Sequence, residues 1–288
     1  MKYFLLILIG CLLVASCIVH IGGSSIVGYC TEDGIDFVEV REVGKFRALS
    51  SSLPCNVYFS QSAKQEVRIE TTEEFASKVL TVVEDGTLKL KLEDGNYPKL
   101  ILRIVISVPE IEGIAIRGSG NLIHEGFLQV DNNLNVSVSG SGDMQFGRIS
   151  CRDFYATTTG SGNIGITSLA AGSTSARVSG SGNISIPGPV TVDGSMELSV
   201  SGSGDIDIET VTASGNASFR TTGSGDICLR DAAFEGDMDL KSSGSGDIVV
   251  NGSCRDVNAS TSGSGNISGN LSHAGIHVHS SGSGDVVL

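Results

Sequence analysis

Tryptophan is absent from this 288-residue chain, prolines number five, and aromatic residues make up only 5% of it. Few rings means few stacking platforms for sugars and few of the aromatic anchors that dominate protein interfaces. Basic charge is also scarce: 19 Lys and Arg stand against 32 Asp and Glu, a formal charge of −13. Such a balance repels polyanions, which excludes nucleic acid and lipopolysaccharide phosphate as partners held by a general field. The cysteines show no CxxC and no metal-ligand spacing. Cys30, Cys55, Cys151, Cys228 and Cys254 read as small buried fillers, with a Cys30–Cys55 bridge as the alternative in an oxidising compartment.

A long hydrophobic run is missing at the N-terminus too. Lys2 precedes a mainly apolar stretch from Tyr3 to Ala15 that is too short to span a bilayer comfortably and reads as a secretory signal. Its end, Val14-Ala15-Ser16-Cys17, resembles the lipobox of bacterial lipoproteins, in which cleavage leaves the cysteine first and diacylated. Leu8-Ile9-Gly10-Cys11 fits the same pattern but leaves a much shorter apolar core. A plain signal peptide with an incidental cysteine is the competing reading. Each buried CH₂ of a lipid chain contributes about 0.8 kcal/mol, so two or three chains on Cys17 would hold the protein on a membrane without a spanning helix. The expected organisation is a signal peptide over 1–16, a tether over 17–34, a β-rich cap with irregular first coils over 35–112, and a repeat region over 113–288. The expected location is the outer membrane of a Gram-negative envelope.

What the chain has in abundance is glycine, 38 residues of it, set among Ser, Thr, Asn and Asp. That composition alone would suggest a disordered linker. Aliphatic and β-branched residues, however, recur among the small ones at fixed places. Gly-Ser-Gly-Asn/Asp begins at Gly118, Gly140, Gly160, Gly180, Gly202, Gly223, Gly244, Gly263 and Gly282, nine copies spaced 19 to 22 residues apart. The residue after Asn/Asp is always apolar, as is the residue four before the first glycine. Two positions beyond that first apolar residue the pattern departs only at His124 and Gly269. A third apolar position recurs more loosely, at Phe127, Ile149, Leu169, Val190, Val211 and Leu271.

Alternation on both sides of a turn means two half-buried strands per repeat. Twenty residues cannot enclose a core alone, but they can if each repeat is one coil stacked on the next. The fold expected is all-β: a single-stranded parallel β-helix with right-handed winding and an irregular β-rich N-terminal cap. Nine coils at about 4.8 Å each give a rod of roughly 40 Å. Within it the glycines would supply positive φ at a shared corner. The Asn or Asp would bond its own backbone and, along the stack, its neighbours. Calcium is the sharper alternative at the corner. Asn at positions 121, 163, 183 and 266 dilutes any such site, which leaves Asp205, Asp226 and Asp247 in consecutive coils as weak metal candidates. No cofactor is expected.

Ahead of the repeats, Val57 to Gln61, Glu66 to Glu70, Thr87 to Leu92 and Ile101 to Val108 read as strands, with turn signals at Glu84-Asp85-Gly86 and Glu93-Asp94-Gly95-Asn96. Together with Ile116-Arg117-Gly118-Ser119-Gly120 and the coils that follow, these stretches make residues 37–288 resemble the adhesin family called the head GIN domain, found on many exported bacterial lipoproteins. The resemblance implies a surface-attachment role and carries over no binding residue.

Catalysis finds little support. Polysaccharide-active β-helices need paired carboxylates or a metal in a groove built by long loops, and these coils are short and even. His20 lies in the tether, and His124, His273, His277 and His279 have no suggestive Ser or Cys partner. His277 and His279 share a strand face and could hold a metal, although a solvated strand face is the commoner explanation. Thr157-Thr158-Thr159 and the Ser/Thr-rich faces suggest ice binding, but Arg177, Arg220, Lys241 and His279 interrupt the outward row. The expectation is therefore a non-catalytic surface adhesion or binding module, held to the membrane by lipid, with a host or matrix glycan or protein as partner. A structural spacer is the alternative.

Overall fold

A computed structural model describes residues 26–288; Cys17 and the signal segment lie outside the described residues. Along each repeat the alternating aliphatic residues favour extended backbone and give every strand one apolar face. A leading strand opens after each corner, for example Ile184–Val192, Ile206–Ala213 and Ile227–Phe234, and a returning strand closes the coil. Equivalent strands pair in parallel, coil upon coil. Ile184 lies beside Ile206 and Ile206 beside Ile227, while Leu198 lies beside Phe219 and Phe219 beside Leu240. The molecule is a β-solenoid, and the one helix among the described residues is the short turn Glu73–Ala76.

Leading strands bend midway. Register shifts fall between His124 and Phe127, Ile186 and Pro189, and Leu229 and Ala232. Beyond the bend a third side turns Leu128, Ile149, Leu169, Val190 and Val211 into the core. The sequence pattern assigns Phe127 to this row. The first Gly-Ser-Gly coil holds one extra residue in its bend, since Glu125 and Gly126 stand opposite Gly147 alone. Leu128 therefore takes the inward place, and Phe127 is 49% exposed. Phe146, Phe154 and Phe219 are the largest fully buried side chains of the core.

The coils begin before the Gly-Ser-Gly run. Ala48–Ser51 pairs in parallel with Gly113–Ile116, and Val57 with Leu122, so that Leu53-Pro54-Cys55-Asn56 stands where later coils have their corner. Below this coil lie Thr87–Leu92 and Leu100–Val108, also parallel to it. The pairing then turns antiparallel: Val79–Glu84 covers Thr87–Leu92, Glu66–Thr71 covers Leu100–Val108, and Phe37–Arg41 lies outermost. Asp85 and Gly86, with φ of 50° and 71°, make the tight hairpin turn that joins Val79–Glu84 to Thr87–Leu92. Leu100–Val108 thus sits between Val57–Gln61 and Glu66–Thr71, which are neighbours in sequence.

The segment expected to be a tether is partly built into the fold. Ile26–Val27 pairs with Asn96–Tyr97, and Cys30–Thr31 pairs with Leu100–Ile101. Val27 and Cys30 pack against the core, which is why this stretch is held. At the far end Ile276 and Val278 continue the inward rows of Val257 and Ala259, and both are exposed among the described residues. No helix among the described residues is long and apolar enough to cross a membrane.

Candidate binding face and corner ladder

At the corners adjacent coils meet backbone to backbone. The carbonyl of each first glycine from Gly118 to Gly263 accepts two bonds from the next coil. Ser161 and Gly162 donate to Gly140 at 3.1 and 3.2 Å, and Ser224 and Gly225 to Gly202 at 3.0 and 3.2 Å. The first glycines, Gly118, Gly140, Gly160, Gly180, Gly202, Gly223, Gly244, Gly263 and Gly282, form one file of such contacts. None of them has positive φ; among described residues the glycines that do are Gly34, Gly86, Gly252 and Gly269. The expectation of a left-handed corner is therefore corrected. Glycine is needed because there is no room for a side chain: a Cβ on Gly225 would lie 2.8 Å from the carbonyl carbon of Gly204, and closer still to its oxygen.

The Asn/Asp that follows does not close its own bend. Its Oδ1 accepts the backbone N–H of its counterpart one coil on: Asn163 donates to Asp143 at 2.7 Å, Asp226 to Asp205 at 2.8 Å and Asp247 to Asp226 at 2.7 Å. The file runs unbroken from Asn121 to Asp285. Asn and Asp interchange freely because both present a δ-oxygen. Inside the corner, buried hydroxyls satisfy the second glycine's carbonyl: Ser242 donates to Gly246 at 2.8 Å and Thr261 to Gly265 at 2.9 Å. Asp205 and Asp226 thus each commit one oxygen to this ladder, as does Asp247, to Asn266. Among the described residues no three His, Cys, Asp or Glu are grouped to hold a metal ion.

The lateral faces are chemically uneven. On the returning side the outward row Thr157, Arg177, Ser199, Arg220, Lys241, Ser260, His279 lies beside a row containing Glu197 and Asp239. Arg177 reaches Glu197 at 3.7 Å and Arg220 reaches Asp239 at 3.2 Å. On the leading side Arg230 bridges Asp207 and Glu209, both at 2.9 Å. These exposed pairs each contribute little to stability.

The earlier coils differ. Gly165 leaves a notch in the outward row Gln145, Gly165, Ser185, and there a groove of about 380 Å³ opens, bordered by Asp143, Gln145, Asn163, Asn183, Ser185 and Pro187. Asn163 spends its amide on Asp143 (2.9 Å), and Gln145 makes a long bond to its neighbour's carbonyl (3.4 Å). Asn183 Nδ2 and Ser185 Oγ make no hydrogen bond to another described residue, so the groove offers donors as well as acceptors. On the adjoining side the Arg148 guanidinium lies over the exposed Phe127 ring, 5.6 Å from its centroid. Phe127 and Tyr155 are the large exposed apolar residues of the repeats ahead of the last coil, among described residues.

Residues 45–188 and 189–288 each match the family model described as "Putative auto-transporter adhesin, head GIN domain". The chain belongs to this family. No curated protein matches it. It is similar in structure to an adhesin so named in Parabacteroides merdae ATCC 43184, at 15% identity and a TM-score of 0.67, over 92% of this chain and 99% of that one. A second such adhesin, from Bacteroides fragilis NCTC 9343, gives 18% identity and a TM-score of 0.55 over 90% and 99%. A protein from Parabacteroides distasonis ATCC 8503 named as lipid-binding gives 22% and 0.58 over 92% and 100%. At such identities the likeness is one of fold.

In this head GIN domain the remaining candidates fall apart spatially. His277 and His279 stand exposed on the last returning strand, and His124 is buried in the core, its Nδ1 3.0 Å from the Phe59 carbonyl oxygen. Cys55, Cys151 and Cys254 are buried, and Cys30 and Cys228 partly so. Burial, with Asp153 nearby, pushes the Cys151 thiol up to about 12, so it is no nucleophile at neutral pH. Sequence reasoning missed the groove. The signal was present as the lone glycine at position 165, where other coils carry a side chain.

Proposed function

We propose that this head GIN domain protein is a non-catalytic binding module of the cell envelope, exported by its signal segment and held in the outer membrane by lipid on Cys17. Its ligand is a host or matrix glycan, engaged by the first four coils. The groove over Gly165 carries the reading. A saccharide presents hydroxyls that donate and accept together with an apolar ring face. The groove supplies amide, carboxylate and hydroxyl groups, and Phe127, held under Arg148, supplies a ring on the adjoining side. Rigid strands fix these groups before the ligand arrives, which lowers the ordering cost of binding.

The even coils of the later solenoid favour a second reading, a passive spacer. A glycan and matrix-protein array probed with the Cys17→Ala protein separates the two. The same variant should take up no palmitate analogue on metabolic labelling, and undiminished label would sink the anchor assignment. Binding to a glycan class, weakened roughly tenfold by Phe127→Ala (about 1.4 kcal/mol) and abolished by Gly165→Val, is the expected result. An empty array supports the spacer. Glycan binding that Gly165→Val leaves unchanged removes the groove from the account.

A further inference from the structure

Two cysteines 25 positions apart in sequence meet at the first corner. Cys30 lies beside Leu100, and Val57 lies beside Ile104, on the same strand Leu100–Val108. Cys55 lies two residues before Val57, and the carbonyl oxygen of Leu102 on that shared strand is 3.7 Å from Cys30 Sγ. Cys30 and Cys55 both line one cavity of about 300 Å³ with Pro54 and Leu102, and Cys55 is buried. Burial and the adjacent Cys30 thiol hold the Cys55 thiol well above its ordinary pKa. Nearby, Glu32 accepts hydrogen bonds from Asn56 and Tyr58, both at 2.9 Å, so the same two segments are already tied by polar contacts.

We propose that Cys30 and Cys55 form a disulfide in the exported protein, stapling the N-terminal strand Cys30–Thr31 to the coil that begins at Ala48–Ser51. This rests on the export reading, since a reducing compartment would keep both thiols. The chemistry needs a disulfide-bearing oxidant, for which glutathione disulfide serves in vitro. The more accessible Cys30 thiolate attacks it, forming a mixed disulfide and releasing one glutathione thiol. The Cys55 thiolate then attacks the Cys30 sulfur and releases the second. Two electrons and two protons pass from the cysteines to the oxidant. The staple has a mechanical consequence. Cys30–Thr31 is held by a two-residue ladder, which a pull from the anchor would peel. Cross-linked to Cys55, the load passes to a coil paired on both sides.

The test uses the whole protein, acid-trapped from cells and mapped by peptide mass spectrometry with and without reduction. The expected product is a Cys30–Cys55 linked peptide in the envelope fraction, two hydrogens lighter than the separate peptides and lost on reduction. Reduced purified protein equilibrated with glutathione disulfide should re-form it. Its denaturation midpoint should then drop on adding reductant, whereas that of Cys30→Ser should not move. Thiols that stay alkylatable in excess glutathione disulfide overturn the pairing. A bond made in glutathione but missing from envelope-localised protein overturns its formation in the cell. Protein recovered from the cytosol instead exposes a failure of the export reading, separately from either result.

Discussion

Gly225 and Gly165 belong to the same solenoid, yet an added side chain meets different neighbours at each. At Gly225 the Cβ is blocked by backbone, the carbonyl group of Gly204, which cannot move without breaking the stack. At Gly165 it meets the end of the Gln145 side chain, which can swing aside. Gly225→Val should cost about 3 kcal/mol or more by chemical denaturation. Gly165→Val should stay within about 0.5 kcal/mol of the parent, since a β-branched residue suits an outward strand position. Ser224→Ala, whose hydroxyl makes no hydrogen bond to the described residues, should be equally mild. A corner that tolerated Gly225→Val would contradict the close-approach account.

The leading strand and its bend form the element on which packing and surface chemistry both depend. Its inward rows were readable as alternation, but the bend shifts register by one residue in the first coil. A one-residue slip moves a side chain to the opposite face. Leu128→Ala should therefore destabilise by about 2–5 kcal/mol, the range for emptying a core site, while Phe127→Ala should leave stability within about 0.5 kcal/mol. Thermal melts of the two variants decide it. Equal losses would return Phe127 to the core and take away the ring proposed to meet a sugar.

For the whole molecule, coils touch their neighbours through parallel ladders, so one period should be removable. Deleting Gly223 to Ser243 joins Thr222 to Gly244 and brings Ile248 over Ile206 and Ala259 over Phe219, in the registers that already relate adjacent coils. The protein should remain β-rich by circular dichroism. Its rod should be about 4.8 Å shorter by solution scattering, with lower stability from loss of the Phe219–Phe234 contact, whose centroids lie 5.9 Å apart, and of the Arg230 pairs. Ligand binding should persist, because Gly165 and Phe127 lie outside the deleted segment. An unfolded product would refute stacking.

The amino-acid sequence by itself determined the class of fold, because a twenty-residue period with two-residue alternation buries its apolar face only by stacking on itself. It also determined where the corners fall from Gly118 onward, since Gly-Ser-Gly-Asn/Asp marks them in each of those coils. Only the tertiary structure decided why those residues are required. The gap between adjacent coils, too narrow for a Cβ, and the N–H of the next coil facing each δ-oxygen are relations between residues about twenty apart. It likewise decided the cap, where Leu100–Val108 enters between two strands adjacent in sequence, and the placing of Cys30 near Cys55. A repeat announces its contacts because each neighbour is a copy of itself. In the cap the neighbours are unlike and distant along the chain, and no local pattern specifies which of them will pair.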